Sequence, residues 1–402
     1  MSERLIAYVG SYGTAPGSLG GGIYALNVAR QGRVLEQIFH VPDPKDAGYL
    51  VYVAQSRMLY AVDERKTDGR GSVHPPASVQ AFRVTANGAL TWCNTQRAFG
   101  PRPCYLSHAG AQNVILSANH GDFQHIERVV RTADNGWDVE YVYDDSTLTM
   151  YRLEADGRLG EVADIHVFEG HGKDPNGSPQ NGGHAQASAH VHCAIVAPDE
   201  RYVVACDKGT DRIYVFRLGA GLEIAHVYQM PEEMAPRHAA FCAKTGRLFV
   251  SCELSSEIVS FDFESMTGTL TLLDRQLTVD QAYVGLNEPA EIRVHPNGRF
   301  AYVNNRGEDS LAWFGIGEDG KLARRGHVVL AKSIHPGLAA RSFVFSPAGD
   351  FMLFADRPAH KVRAYAVNED SGEVNQVAEF SVPDPAFICF AELPFELEAI
   401  DE

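Results

Sequence analysis

Residues 289–308 read PAEIRVHPNGRFAYVNNRGE, and the order of residue types in this stretch recurs along the chain. An apolar run, a turn rich in Pro, Asp, Asn or Gly, a second apolar run and a polar cluster are typical of a β-hairpin with a polar end. The same order is present in residues 192–210 (HCAIVAPDERYVVACDKGT), 238–256 (HAAFCAKTGRLFVSCELSS) and 341–359 (RSFVFSPAGDFMLFADRPA). Gly246, Gly298 and Gly349 are 52 and 51 residues apart, and a hairpin repeating at this spacing predicts a radial β-repeat fold.

The repeat count predicts the number of units. Weaker copies lie at residues 48–65 and 103–122, and residues 5–29 resemble the second half of a unit, so that seven units can be counted. We therefore predict an all-β, seven-bladed β-propeller that forms a single domain over residues 1–402. Because the first unit lacks its innermost strand, we expect residues 386–392 to supply it. The N- and C-terminal strands would then pair and close the ring, which removes the open edges of the sheet.

Two segments interrupt the repeat. Residues 121–146 are inserted between a second and a third strand, and residues 170–190 form a loop rich in Gly, Asn and His before a first strand. Insertions of this length are often functional, but an ordered surface excursion is an equal alternative.

Composition excludes several classes of function. The chain has 35 basic and 51 acidic residues and a formal net charge of −16, which argues against nucleic-acid binding and against docking on anionic membranes. It contains no apolar stretch long enough to span a membrane, and its first residues lack the pattern of a signal peptide. Seven cysteines, most of them in apolar runs, indicate reduced thiols, so we expect a cytoplasmic protein. A homo-oligomer is compatible with this composition.

Propeller geometry predicts where the chemistry lies, because each hairpin sends the start of its first strand and the end of its second strand to the same face. Aligning the units on their turns places His192, His238, Ala290 and Arg341 in one equivalent position, with Arg237 just before His238. The ends of the second strands contribute Glu64, Asn119, His120, Asp207, Lys208, Glu253, Asn305, Arg306, Asp356 and Arg357. Several arginines, two histidines and carboxylates on one face predict an acid–base site that recognises an anion.

Not every residue of this set needs to be functional. Asp and Asn at the end of a strand often bond their own backbone, and this structural role is an alternative for Asn119, Asp207, Asn305 and Asp356. His184, His190 and His192 suggest a zinc site, but no carboxylate is fixed near them by the sequence. We therefore predict neither a metal nor another cofactor.

Four phrases of the sequence closely resemble the seven-bladed propeller lactonase family. They are YVGSYG…GGIYALNV, HVHCAIVAPDERYVVACDKGTDRIYVFRL, PRHAAFCAKTGRLFVSCELSSEIVSFDF and PAEIRVHPNGRFAYVNNRGEDSLAWF. This family includes the bacterial propeller-type 6-phosphogluconolactonases and the fungal 3-carboxy-cis,cis-muconate cyclases. The resemblance covers nearly the whole chain and implies a site made of His192, Arg237, Glu253 and Arg306.

The resemblance implies a metal-independent lactonase acting on a small anionic lactone. Arg237 and Arg306 would orient the anion and polarise the carbonyl, and His192, with Glu253 as a candidate partner, would act as general base. We expect His238, Arg341, Asn305, Asn119 and Asp207 to contribute to substrate binding. Three alternatives stay open: a cycloisomerase that closes a lactone from a muconate, a catalytically idle propeller that binds a protein partner, and a metal-dependent gluconolactonase on a six-bladed propeller.

Overall fold

The computed structural model describes residues 3–14, 17–65, 77–173, 184–335 and 337–394. Within these ranges the strands form seven four-stranded antiparallel sheets and one two-stranded ribbon. The seven sheets are the blades of a propeller, which confirms the predicted fold class.

The blades follow one another along the chain. Blade 1 contains β1 (Glu3–Ser11), β2 (Gly22–Ala29) and β3 (Val34–Val41), and blade 2 contains β4 (Leu50–Val53), β5 (Met58–Asp63), β6 (Ser78–Val84) and β7 (Leu90–Arg97). Blade 3 contains β8 (Pro103–Ala109), β9 (Val114–Asn119), β12 (Ser146–Leu153) and β13 (Leu159–Phe168), with β10 (His125–Arg131) and β11 (Trp137–Tyr143) inserted as the separate ribbon. Blade 4 contains β14 (Val191–Val196), β15 (Tyr202–Asp207), β16 (Arg212–Leu218) and β17 (Leu222–Gln229). Blade 5 contains β18 (Pro236–Phe241), β19 (Leu248–Cys252), β20 (Glu257–Glu264) and β21 (Thr269–Leu277). Blade 6 contains β22 (Glu288–Val294), β23 (Phe300–Arg306), β24 (Ser310–Ile316) and β25 (Leu322–Val329). Blade 7 contains β26 (Ser342–Phe345), β27 (Phe351–Asp356), β28 (Lys361–Val367) and β29 (Val374–Ser381).

The ring closes through the two ends of the chain. The last strand, β30 (Pro385–Pro394), pairs antiparallel with β1 and is the innermost strand of blade 1, with Tyr8 opposite Cys389. The predicted closure by N- and C-terminal strands is therefore confirmed.

The burial of each strand follows its place in the blade. Every residue of the second strands β5, β9, β15 and β27 is buried, because these strands have a neighbour on each side and a blade against each face. The outermost strands, such as β7 and β29, are largely exposed. The continuous apolar runs in the sequence thus mark second strands, and the polar runs mark outermost strands.

Tyrosines on second strands tie neighbouring blades together. The Tyr8, Tyr60 and Tyr302 hydroxyls donate to the carbonyls of Gly88, Gly157 and Gly372 at 2.8, 2.6 and 2.7 Å. Each glycine lies in the turn between the third and fourth strands of the next blade and has a positive φ. The phenol therefore spans a blade interface with its apolar ring buried and its hydroxyl satisfied.

The two insertions differ in how much of them is described. Most of residues 121–146 forms the β10–β11 ribbon, whose Ile126, Val129, Trp137 and Tyr141 side chains are exposed. In the other insertion, residues 174–183 lie outside the described residues. Throughout the part of the chain that the structure describes, there is no helix long and apolar enough to cross a membrane.

Candidate active site

A cavity of about 390 Å³ lies where first strands begin and second strands end. Its lining residues are Glu64, Arg102, Cys104, His120, Phe123, His192, Lys208, Arg237, Glu253, Leu286, Glu288, Arg306, His335, Gly337 and Arg341. Of the predicted site residues, the structure brings His192, Arg237, Glu253, Arg306 and Arg341 together at this cavity. A larger groove of about 880 Å³, between blade 6 and the β28–β29 turn of blade 7, contains none of them.

The strand-end ring is a set of seven residues, one per blade, at the end of the second strand: Arg306 is the last residue of β23, and each of the other six directly follows the last residue of its strand. Its members are Tyr12, Glu64, His120, Lys208, Glu253, Arg306 and Arg357. Five of them line the cavity. The ring alone therefore supplies two cations, two carboxylates and one imidazole to the site.

The residues just before the strand-end ring have a structural role instead. Asp207 accepts hydrogen bonds from the backbone N of His190 and Gly209 and from the Thr210 hydroxyl. None of Asn119, Asp207 and Asn305 lines the cavity, so the structure does not support the prediction that they bind substrate.

The side chains of Asn119 and Asn305, like that of Asp207, form hydrogen bonds that hold neighbouring segments of the fold together. The Asn119 amide donates to the carbonyl of Ala98 and to Thr147, and the Asn305 amide donates to the carbonyl of Thr278 and to Ser310. Side chains alternate along a strand. The residue that closes the turn and the residue that faces the cavity are therefore neighbours in sequence.

The first-strand ring is a second set of seven residues, located near the start of the innermost strands. Its members are Gly48, Cys104, His192, Arg237, Ala290, Arg341 and Ala386. In blades 3, 4 and 5 the register shifts at this position, which is a β-bulge. A bulge inserts one unpaired residue and re-aims side chains.

His238 does not occupy the position predicted for it. The pairing register aligns His192 with Arg237, and His238 lies one position further along β18. The turns of the two blades differ in length by one residue, because Gly246 follows Cys242 by four residues, whereas Glu200 follows the equivalent Ala197 by three. An alignment on the turns therefore shifts the first strand of blade 5 by one residue. His238 therefore lies behind the cavity lining.

Glu253 is the centre of a buried cluster of cations. Its Oε1 accepts a hydrogen bond from Lys208 Nζ at 2.6 Å, and its Oε2 accepts one from an Arg306 terminal nitrogen at 3.0 Å. Arg237 Nε lies 2.7 Å from Oε2 as an ion pair, without the alignment of a hydrogen bond. Burial opposes ionisation of Glu253, but Lys208, Arg306 and Arg237 outweigh it and hold its pKa well below the usual range. Glu253 is thus an ionised anchor for cations.

His192 pairs with His238 rather than with Glu253. Its Nδ1 lies 3.1 Å from His238 Nε2, and no hydrogen bond joins His192 to Glu253 within the described ranges. Burial, reinforced by the positive charge of Arg237, lowers the pKa of His192 well below its ordinary value. At neutral pH the imidazole is therefore uncharged.

Glu288 adds a second carboxylate to the cluster. Its Oε2 lies 3.1 Å from a terminal nitrogen of Arg306, and Arg306 Nε donates to the Glu288 carbonyl at 3.0 Å. Burial raises the pKa of Glu288. Arg306 is thus held between Glu253 and Glu288.

Arg341 belongs to a separate polar group that includes Tyr12 and Glu64. Arg341 Nη1 donates to the Tyr12 hydroxyl at 2.7 Å, and this hydroxyl donates to Glu64 Oε2 at 2.6 Å. The Arg357 guanidinium lies 4.5 Å from the centre of the Tyr12 ring. The cavity therefore has two cationic groups, one around Glu253 and one around Arg341.

Several residues of the lining were not assigned a role from sequence. The sequence places Lys208 and His120 at strand ends without predicting a role for them, and it does not predict Arg102, Phe123, Glu288 or His335 at the site. The alternation rule, applied one residue beyond each buried strand, would have favoured Lys208 and His120. No signal marks Arg102 or His335, because loops position them.

The lining has an excess of positive charge. It contains five Arg or Lys residues and three Glu residues, although the whole chain carries a net charge of −16. Within the described residues, no group of three or more His, Cys, Asp or Glu side chains is arranged to hold a metal ion. The charge of the cavity suits an anion.

Comparison with known proteins gives the family. Residues 6–390 match the model of the family described as "Lactonase, 7-bladed beta-propeller". The chain belongs to this family. It is 26% identical over 397 residues to the 6-phosphogluconolactonase of Bacillus subtilis, covering 96% of this chain and 98% of that protein.

Solved structures share the fold. A protein from Lactobacillus plantarum is 25% identical with a TM-score of 0.78, covering 97% of this chain and 100% of the other. The periplasmic gluconolactonase of Pseudomonas aeruginosa is 23% identical with a TM-score of 0.77, covering 98% of this chain and 100% of the other. As a member of a lactonase family the protein is an enzyme. A cytoplasmic location and a homo-oligomer stay predictions.

Proposed function

We propose that the protein hydrolyses a small anionic lactone by metal-independent general-base catalysis. The observation that carries this proposal is the position of His192 in the same cavity as Arg237, Arg306 and Lys208, three cations held by one buried carboxylate. The relative named 6-phosphogluconolactonase supports a phosphorylated sugar lactone as the first substrate to test.

The cavity suits a small acidic substrate in size and in charge. About 390 Å³ is at the lower end of the range for small-molecule sites. Arginine matches carboxylate and phosphate groups because its planar guanidinium can donate two parallel hydrogen bonds. Since the long-range field of the chain repels anions, attraction must come from the local cations.

The chemistry follows from the protonation states. Water attacks the lactone carbonyl while His192 takes its proton, and Arg237 and Arg306 stabilise the oxyanion that develops. The tetrahedral intermediate then collapses, the ring C–O bond breaks, and the imidazolium of His192 returns the proton to the leaving alkoxide. The product is the open-chain hydroxy acid. Glu253 holds the cations in place and takes no proton.

One observation favours the cycloisomerase as a second candidate. Arg341 forms a cationic group apart from the Glu253 cluster, so the cavity could hold both carboxylates of an unsaturated diacid. With the same cations holding the substrate, a lactone would close when a carboxylate oxygen of the substrate adds to one alkene carbon and the protonated form of His192 delivers a proton to the other.

A substrate screen tests the proposal. Sugar lactones, phosphosugar lactones and muconolactones are offered to the enzyme before and after exhaustive chelation, with His192→Gln and Glu257→Gln as the test and control variants. Glu257, on β20, forms an ion pair with Arg275 on β21 and does not line the cavity. We expect turnover of an anionic lactone that survives chelation and falls by about 100-fold or more in His192→Gln. Loss of activity on chelation that added metal restores, or full activity of His192→Gln, would overturn the mechanism.

A further inference from the structure

Three buried side chains form a continuous hydrogen-bonded chain that begins at the cavity. His192 Nδ1 lies 3.1 Å from His238 Nε2, and His238 Nδ1 lies 3.3 Å from Glu291 Oε1. The three residues come from β14, β18 and β22, the first strands of three consecutive blades. Their exposed fractions are 7, 5 and 1%. Exchange of protons with solvent is therefore restricted to the end that meets the cavity.

The charge of Glu291 sets the direction of the hydrogen bonds. Burial opposes its ionisation, but Arg293 and His238 outweigh burial and keep its pKa below the ordinary value. An ionised carboxylate can only accept, so His238 must donate from Nδ1. Burial, together with the charge of Arg237, lowers the pKa of His238 to about 4, so this imidazole is neutral and its Nε2 is an acceptor. His192 must then donate from Nδ1.

We propose that Glu291 and His238 are positioning residues that fix the tautomer of His192 and leave its Nε2 as the basic nitrogen facing the substrate. This inference rests on the proposed role of His192 as general base. Among the described residues no protein group bonds Nε2, and His192 lines the cavity. A histidine whose other nitrogen donates to a fixed acceptor is held in both orientation and tautomer.

The far end of this chain is itself held in place. Arg293 Nε lies 3.3 Å from Glu291 Oε1, and the Ser342 hydroxyl donates to Oε2 at 3.5 Å. The backbone N of Glu291 donates to Asn304 Oδ1 at 2.7 Å. The ring of Tyr105 meets the His238 imidazole edge-on, with centroids 5.3 Å apart. These contacts limit the carboxylate and the second imidazole to one arrangement.

The tautomer can be measured without any substrate. Protein labelled with ¹⁵N on histidine gives ring-nitrogen chemical shifts that report which nitrogen carries the proton, and the His192 signals are assigned by their loss in His192→Gln. In the wild type at pH 7.5 we expect His192 to carry its proton on Nδ1. A proton on Nε2 would overturn the proposal. Because this readout needs no turnover, it does not depend on whether the lactone screen succeeds.

A substitution at the far end tests whether Glu291 exerts the control. In Glu291→Gln the amide can donate to His238 Nδ1, which reverses every hydrogen bond and moves the proton of His192 to Nε2. We expect this change in the spectrum, and a fall in kcat of about 10²- to 10⁴-fold, the scale for a catalytic histidine in the wrong tautomer. Glu257→Gln, which also neutralises a carboxylate paired with arginine, should change neither.

Two results would contradict this role for Glu291. One is a folded Glu291→Gln protein with an unchanged His192 tautomer. The other is an altered tautomer with unchanged kcat on a lactone that the wild type hydrolyses. If no lactone is hydrolysed while the tautomer responds as expected, the control of the His192 tautomer by Glu291 and His238 is supported and the proposed reaction fails.

Discussion

Glu253 and Arg306 form an ion pair, but we expect their removal to have unequal effects on stability. The cluster contains three cations, Lys208, Arg237 and Arg306, and two carboxylates, Glu253 and Glu288. Glu253→Gln leaves three buried cations facing one another with only Glu288 near them. Arg306→Ala leaves Glu253 with two cations and relieves the excess of positive charge.

The magnitudes follow from this imbalance. Leaving buried charges uncompensated costs about 3–5 kcal/mol, so Glu253→Gln should lower the free energy of unfolding by that amount. Arg306→Ala loses hydrogen bonds to charged partners, for which about 1.5–3 kcal/mol is typical, and part of this loss is offset by reduced repulsion. We therefore expect Arg306→Ala to be the less destabilising of the two by about 1 kcal/mol or more.

Urea unfolding at pH 7.5, followed by fluorescence and circular dichroism, measures both variants against the wild type. Glu257→Gln is the matched control, because its partially exposed pair with Arg275 should contribute less than about 1 kcal/mol. The expected difference requires that the cluster has more cations than its carboxylates can compensate. An Arg306→Ala variant that is as unstable as Glu253→Gln would refute this.

Three further predictions concern other parts of the molecule. Asp207→Asn should lower the unfolding temperature, because Asp207 accepts three hydrogen bonds, but should leave kcat/KM of the folded protein nearly unchanged; a selective loss of activity would return Asp207 to the substrate site. The free energy of unfolding should fall as the pH drops from about 6.5 toward 4. Burial lowers the pKa of His190 and of His238 to about 4, so these histidines take up protons in the unfolded chain at a higher pH than in the folded one. Equal free energies of unfolding at pH 7.5 and 5 would exclude this. Deletion of residues 383–402 removes β30 and should yield aggregating protein by light scattering, because β1 becomes an open edge; a monomeric folded product would contradict this role.

The fold was predictable because its signals are local and repeated. Each unit has two apolar runs of strand length with a turn between them, and the incomplete first unit indicated that the C-terminal strand completes it. The β10–β11 ribbon is visible in the sequence only as a break in the repeat. Its strands, His125–Arg131 and Trp137–Tyr143, are largely exposed and lack the continuous apolar runs of the second strands of the blades.

Five residues of the cavity lining were predictable from the sequence, namely His192, Arg237, Glu253, Arg306 and Arg341. Asp207 and Asn305 lie at the ends of strands, where the sequence leaves both substrate binding and a structural turn role open. In both blades the next residue lines the cavity: Arg306, which the sequence analysis assigns to the site, and Lys208, to which it assigns no role. Residues that bond the turn and residues that line the cavity occupy alternate positions, and sequence patterns alone do not reveal where the alternation is shifted.

The β-bulge in β18 explains how one short strand supplies both a cation of the cavity lining and a histidine behind that lining. In an unbroken strand, Arg237 and His238 would point to opposite faces of blade 5. The register shift between Pro236 and His238 lets both side chains turn toward the interior of the ring. Arg237 joins the cations around Glu253, where charge on the substrate would be bound, and His238 joins Glu291 beneath His192, where the base is oriented. Binding and base positioning thus depend on adjacent residues of the same strand. Any substitution that restores regular pairing at this bulge should therefore impair both.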